Sequence, residues 1–149
     1  GLKGTTLDWE RGKLGPLICY EIIFPRLARA MSAKGARLLV SQTNDAWFGR
    51  TSAAYQHFSM GVFRAVENRR SLVRAANTGI SGYIDPTGKI LHQTDLFEDR
   101  VLTRSVVLMG TPSIYTRIGD LFAQICLVLA VANLLWPLYA RCSKRSREQ

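Results

Sequence analysis

The sequence predicts an α/β domain followed by one long apolar helix. Three observations predict it. A short apolar run, a helical pattern and a second apolar run follow one another within residues 14–42. Two turn-rich clusters, TNDAWFGRTS and DPTG, then separate further periodic segments. From residue 118 to 140 the chain is almost wholly apolar. The chain therefore divides into residues 1–117 with globular texture, residues 118–140 as an apolar run, and residues 141–149 as a short basic tail.

Residues 14–23, LGPLICYEII, are too few for a helix and carry β-branched side chains, so they read as a buried strand that Pro25 ends. Residues 25–35, PRLARAMSAKG, place Pro at a first helical position and Gly at a helix end, with Leu27, Ala30 and Met31 as the inward stripe. Residues 36–42, ARLLVSQ, read as another buried strand. Strand, helix and strand in this order make a βαβ-like unit, and such a crossover requires parallel strands. Residues 43–52 read as a loop. Residues 53–75 have helical periodicity through Phe58, Val62, Ala65, Val66 and Arg69, and Asn77-Thr78-Gly79 breaks it. Residues 80–84 and 89–91 read as strands joined by a tight turn, with Pro86 fixing φ and Gly88 supplying a positive φ. Residues 101–108, VLTRSVVL, read as one more strand.

The formal net charge is +9. Residues 1–117 carry +7, residues 118–140 carry −1 and the tail carries +3. The 15 Arg and 5 Lys are scattered and do not interleave with aromatics along a stripe, which argues against a nucleic-acid partner. The apolar run is about the 20 residues that a bilayer core demands. Arg141, Lys144, Arg145 and Arg147 crowd its far side, while Arg117 and Asp120 mark the near side. The run reads as a transmembrane helix, with the tail in the cytoplasm, residues 1–117 outside, and anionic lipid as a partner, or as a buried core helix of a larger soluble protein. Trp136 and Tyr139 suit an interfacial aromatic belt, and Asp120 suits a helix start. The first residue is Gly rather than Met and no signal peptide precedes it, so the chain reads as cut from something longer.

The three cysteines, Cys19, Cys126 and Cys142, are odd in number and lack short spacing. That pattern fits neither a disulfide framework nor a zinc site, and no metal or organic cofactor is expected. Cys126 and Cys142 read as a small hydrophobe and a tail residue. Cys19 in an apolar strand reads by itself as plain packing, or as a nucleophile, since the end of a buried strand at a turn can present a thiolate beside backbone N–H groups. Glu21 is a carboxylate in an apolar run, so it must be paired or exposed. Other residues have quieter readings. His57 reads as a structural hydrogen-bonder, Arg64 and Glu67 as an ion pair within one helix, and Asn44 and Asp45 as an Asx-type turn. Trp47 and Phe48 are either core residues or lipid contacts.

Taken together, LGPLICYEIIFPRLAR, LLVSQTNDAWFG, YQHF, RAVENRR and AANTGISGYIDPTGKIL resemble the nitrilase, or carbon–nitrogen hydrolase, superfamily. Its nucleophilic Cys ends a strand in a Gly-x-x-x-Cys-Tyr-Glu/Asp context, which Gly15, Cys19, Tyr20 and Glu21 match. The Trp47 loop and the C-terminal apolar run narrow the resemblance to the membrane-anchored bacterial N-acyltransferases of that superfamily. The resemblance implies the C-terminal part of an αββα sandwich and a Glu-Lys-Cys triad, of which only Cys19 lies here. Glu10, Lys3 and Lys13 sit in no matching motif. Glu21 matches a second functional carboxylate, Tyr20 a residue near the oxyanion site, and Trp47 the loop at the acyl entrance. The implied reaction moves an acyl chain from a phospholipid to Cys19 and then to the N-terminal amine of a diacylated lipoprotein at the bacterial inner membrane. Without the Glu and Lys, the segment alone is expected to be inactive. Two other readings are a nitrilase-type amidase that releases its acyl group to water and a membrane-anchored segment without chemistry.

Overall fold

The computed structural model describes residues 4–145, with side chains to Trp136. The sequence readings on Lys3, Tyr139, Cys142 and the basic side chains of residues 141–149 lie outside that description. The chain forms two compact units, Gly1–Arg117 and Ile118–Gln149.

In the first unit, β1 (Leu7–Trp9), β2 (Gly12–Ile18), β3 (Ala36–Asn44), β4 (Ser71–Asn77), β5 (Gly82–Ile84) and β6 (Ile90–Gln93) make one six-stranded sheet in sequence order. β2, β3 and β4 are mutually parallel, and the outer pairings are antiparallel. The expected parallel βαβ unit is therefore present as β2, α1 (Pro25–Ala33) and β3. A second crossover, α2 (Ser52–Asn68), joins β3 to β4.

Both helices cover the same sheet face. Successive strand residues point to opposite faces, so Gly15 and Leu17 of β2, Leu39 of β3, Leu72 of β4 and Ile84 of β5 meet them there. Leu17, Leu39, Leu72 and Ile84 are fully buried in a core with Ile22, Leu27, Met31 and Phe58. Gly15 admits the close approach, since a Cβ there would press on Leu39 and Met31. α1 starts with Pro25 at its first turn and buries Leu27, Ala28, Met31 and Ser32; Ala30 is only half-buried. The structure thus supplies one helix layer and one sheet of the four layers that a complete αββα sandwich contains. Segment 101–110 crosses the opposite face, where Tyr83 Oη donates to the Leu102 carbonyl at 2.8 Å and Ser71 Oγ to that of Val107 at 2.6 Å.

Three sequence expectations are corrected. The strand read over residues 14–23 ends at Ile18, and Cys19–Ile23 is a 3-10 turn. The helix read over residues 53–75 ends at Asn68, and its last part is strand β4. Arg69 takes left-handed φ and ψ of 50° and 52°, while the amides of Arg69 and Arg70 bond back to Val66 and Ala65. This is a Schellman-type stop. The buried stripe of α2 consequently runs through Ala54, His57, Phe58, Gly61, Arg64, Ala65 and Asn68, leaving Val66 and Arg69 exposed. The strand read over residues 101–108 forms no ladder; its carbonyls accept side-chain donors instead. The turn at Asp85 to Gly88 forms as read, with Gly88 at φ 88°.

In the second unit, α4 (Leu121–Arg145) is a helix of 25 residues. Its described side chains, through Trp136, are exposed on every side. Among the described residues no helix is long and apolar enough to cross a membrane. A long apolar helix is therefore observed, and the expected transmembrane helix is not.

Candidate active site

The three parallel strands end at one edge of the sheet, the usual place for ligands in parallel α/β folds. β2 delivers Cys19, β3 delivers Asn44 and β4 delivers Asn77 to this edge. Asn77 Nδ2 lies 3.4 Å from Asn44 Oδ1, which also accepts the Ala46 amide at 3.1 Å. That second contact is the Asx turn expected here, made by Asn44.

Cys19 is half-buried, unpaired, and sits at φ 51°. A left-handed backbone in a residue with a Cβ costs on the order of 1–3 kcal/mol and persists only where the surroundings impose it. One constraint is visible directly below the residue. Glu21 Oε2 accepts the Ile18 amide at 2.8 Å, the carboxylate half of a capping box. Glu21 in the apolar run is thus satisfied by backbone, as its position demands. The Cys19 side chain opens into a cavity of about 310 Å³ lined with Asn44, Ala46 and Trp47. Trp47 is 75% exposed and forms a free wall of that cavity.

Tyr20 points elsewhere. Its ring lines a separate hollow with Ile23, Phe48, Gln56, His57 and Met60. It stands 6.0 Å from the His57 ring, which Phe48 also flanks at 5.4 Å. The structure therefore joins Cys19 with Trp47, sets Glu21 beneath them, and turns the Tyr20 ring away.

Behind Cys19 lies a buried polar network that the sequence did not assemble. Asp45, His57 and Arg74 are 2%, 4% and 2% exposed. Asp45 Oδ1 lies 3.0 Å from His57 Nδ1 and accepts Thr43 Oγ1 at 2.9 Å. Asp45 Oδ2 accepts Arg74 Nη2 at 2.7 Å, and that same nitrogen lies 3.0 Å from His57 Nδ1. Arg74 Nε donates to the Ile80 carbonyl at 3.2 Å. Burial first, and the Arg74 charge second, push the His57 pKa below its ordinary value; Asp45 and the Cys19 backbone oppose this. Burial also lowers the Arg74 pKa, against the opposing pull of Asp45 and Cys19.

His57 is a hydrogen-bonder as expected, and Arg64 Nη2 pairs with Glu67 at 3.0 Å as expected. Asp45, read as part of a turn, is instead the centre of the buried network. Arg74 escaped notice because it was placed on a helix. Its signal was the one that marked Glu21, a charge inside an apolar run, which must find a partner. Among the described residues no cluster of side chains suits a metal ion.

Comparison with known proteins gives a consistent family. The carbon–nitrogen hydrolase family matches residues 3–116. The apolipoprotein N-acyltransferase of Geobacter metallireducens is 56% identical over 126 residues, covering 85% of this chain and 24% of that protein. Apolipoprotein N-acyltransferase 1 of Treponema denticola is 35% identical over 148 residues, covering 98% and 27%. The chain thus spans about a quarter of the length of these relatives. Among solved structures, Saccharomyces cerevisiae Nit3 of the nitrilase superfamily superposes with a TM-score of 0.56 at 30% identity, covering 66% of this chain and 39% of that one. An amidase from Nesterenkonia sp. AN1, with an acetamide moiety added covalently at its active-site cysteine, gives 0.50 at 28% identity, covering 62% and 37%.

Proposed function

The chain belongs to the carbon–nitrogen hydrolase family, and from that premise we propose that it is the nucleophile-bearing part of a lipoprotein N-acyltransferase, with Cys19 as the nucleophile. The observation that carries this reading is Cys19 itself: a half-buried thiol at a left-handed strand end, opening onto a cavity walled by an exposed Trp. The similarity to apolipoprotein N-acyltransferases supports the choice of reaction.

The chemistry proceeds in two covalent steps. The Cys19 thiolate attacks the ester carbonyl of a phospholipid. A C–S bond forms, the C–O ester bond breaks, and the lysophospholipid alkoxide leaves with a proton. The α-amine of a diacylated lipoprotein then attacks the thioester. A C–N bond forms, the C–S bond breaks, the amine gives up a proton, and the thiolate returns. Trp47 supplies an apolar wall for the acyl chain. Glu21 holds the turn, and Tyr20 acts beside it. The Glu and Lys of the family triad match no motif here, so this segment alone is expected to be inactive.

The apolar run of residues 118–140 supports a membrane location, although no described helix is long and apolar enough by itself to cross a bilayer. A helix that is apolar on all sides is stable only when buried in protein or spanning lipid. Its exposed Phe122, Leu127, Val128, Leu134 and Trp136 leave a surface that water does not tolerate. Residues 1–117 then lie on the periplasmic side of a bacterial inner membrane, with the basic tail in the cytoplasm.

The test is mass spectrometry of the full-length enzyme that contains this chain, after mixing with phospholipid. The expected result is a hydroxylamine-sensitive acyl adduct on Cys19; an adduct on another residue would reassign the nucleophile. A second reading, an amidase releasing its acyl group to water, is favoured by the Nesterenkonia structure. Acyl-enzyme that discharges equally fast with and without a lipoprotein amine would establish it.

A further inference from the structure

We propose that Asp45, His57 and Arg74 are positioning residues for Cys19, a buried network that holds the nucleophile's turn and the Trp47 wall of its cavity as one rigid piece. The inference rests on Cys19 being the nucleophile.

The placement of Asp45 carries the argument. Its chain neighbours Asn44 and Ala46 line the Cys19 cavity, while Asp45 turns its carboxylate into the core. There it joins the end of β3 through Thr43, helix α2 through His57, and strand β4 through Arg74. Arg74 extends the tie to the loop after β4 through the Ile80 carbonyl. Gly79 fits the same purpose, because a Cβ at that position would overlap the Asp45 carboxylate. The segment bearing Trp47 is thus pinned from behind at the residue between two cavity walls.

The network also reaches the Cys19 turn. The His57 ring stands 6.0 Å from the ring of Tyr20, the residue that follows Cys19. A left-handed Cys needs fixing on both sides of its α-carbon. Glu21 acts on the Ile18 side, and on the other side His57 packs near the Tyr20 ring.

The experiment uses the full-length enzyme that contains this chain, with Asp45→Asn, Arg74→Lys and His57→Gln variants. The rate of Cys19 alkylation by iodoacetamide is read by peptide mass spectrometry, alongside kcat and KM for the phospholipid donor. We expect alkylation and kcat to fall about tenfold to a hundredfold with KM little changed, as misplacement of a reacting atom produces. Arg70→Met is the control. Arg70 is as buried as Arg74 but ties the opposite end of the sheet, donating to the Ala36 and Thr111 carbonyls. It should lower the melting temperature without slowing alkylation. Wild-type alkylation in folded network variants, or an equal loss in Arg70→Met, overturns the proposal. If Asp45→Asn does not fold, His57→Gln decides alone, because it leaves the Asp45–Arg74 ion pair intact. Slowed alkylation without any phospholipid adduct would sink the acyltransferase reading and leave the network standing. An adduct with unchanged alkylation would do the reverse.

Discussion

At the scale of single residues, charge burial sets the largest effects. Asp45 answers an imidazole and a guanidinium in a place closed to water. Asp45→Ala leaves Arg74 buried without its counter-charge, and urea denaturation should register a loss of about 3–5 kcal/mol. His57 gives a pH dependence whose sign follows from its depressed pKa. Asp45 and Arg74 face it, and burial dominates. As pH falls through the ordinary value of 6.5, the unfolded imidazole takes a proton that the folded one refuses. Stability should therefore be level above that pH and decline below it. Melting temperatures between pH 7.5 and 5.5 would check this, with a shallower decline expected in His57→Gln. Glu21 was legible because a carboxylate in an apolar run must find a partner, whereas Cys19 was singled out only by the resemblance of its Gly-x-x-x-Cys-Tyr-Glu context. Arg74 sits as oddly as Glu21, but an assumed helix would have carried it away from Cys19.

At the scale of elements, the stop of α2 shows where sequence pattern runs out. The apolar spacing through Ala65, Val66 and Arg69 continues smoothly into Leu72, Ala75 and Ala76, all compatible with helix. A left-handed stop is usually announced by Gly, and Arg69 announces nothing. Arg69→Gly should stabilise the fold by about 1 kcal/mol, the left-handed penalty of a residue with a Cβ; a chemical denaturation midpoint would show it. Gly79 behaves oppositely. Gly79→Ala should destabilise by about 1–3 kcal/mol through overpacking against the Asp45 carboxylate. The βαβ unit and the Asp85 to Gly88 turn were legible because Pro25, Gly35 and Gly88 mark their boundaries. Residues 101–108 were misread because alternation signals an extended chain without naming a partner strand. Among the described residues β6 pairs only with β5, and the segment crosses a sheet face instead.

At the scale of the whole molecule, the two units differ in how their apolar side chains are covered. The core of the first unit lies between one helix layer and one sheet, whereas the described side chains of α4 have no such cover. If lipid covers them, Leu129→Arg near the middle of the apolar run should weaken membrane retention by about 2.5–3.5 kcal/mol, the insertion cost of Arg at a helix centre. Carbonate extraction of the full-length enzyme would reveal the shift into the soluble fraction, and unchanged retention would argue against lipid cover. The apolar run was legible in composition, but among the described residues no helix is long and apolar enough to cross a membrane. The parallel run of β2, β3 and β4 has a practical corollary. It gives the domain two rims: Cys19, Asn44 and Asn77 crown the one proposed as the site, and Arg70 cinches the other. A directed-evolution library confined to the first rim would sample selectivity, while one confined to the second would sample heat tolerance, and winners from the two should combine.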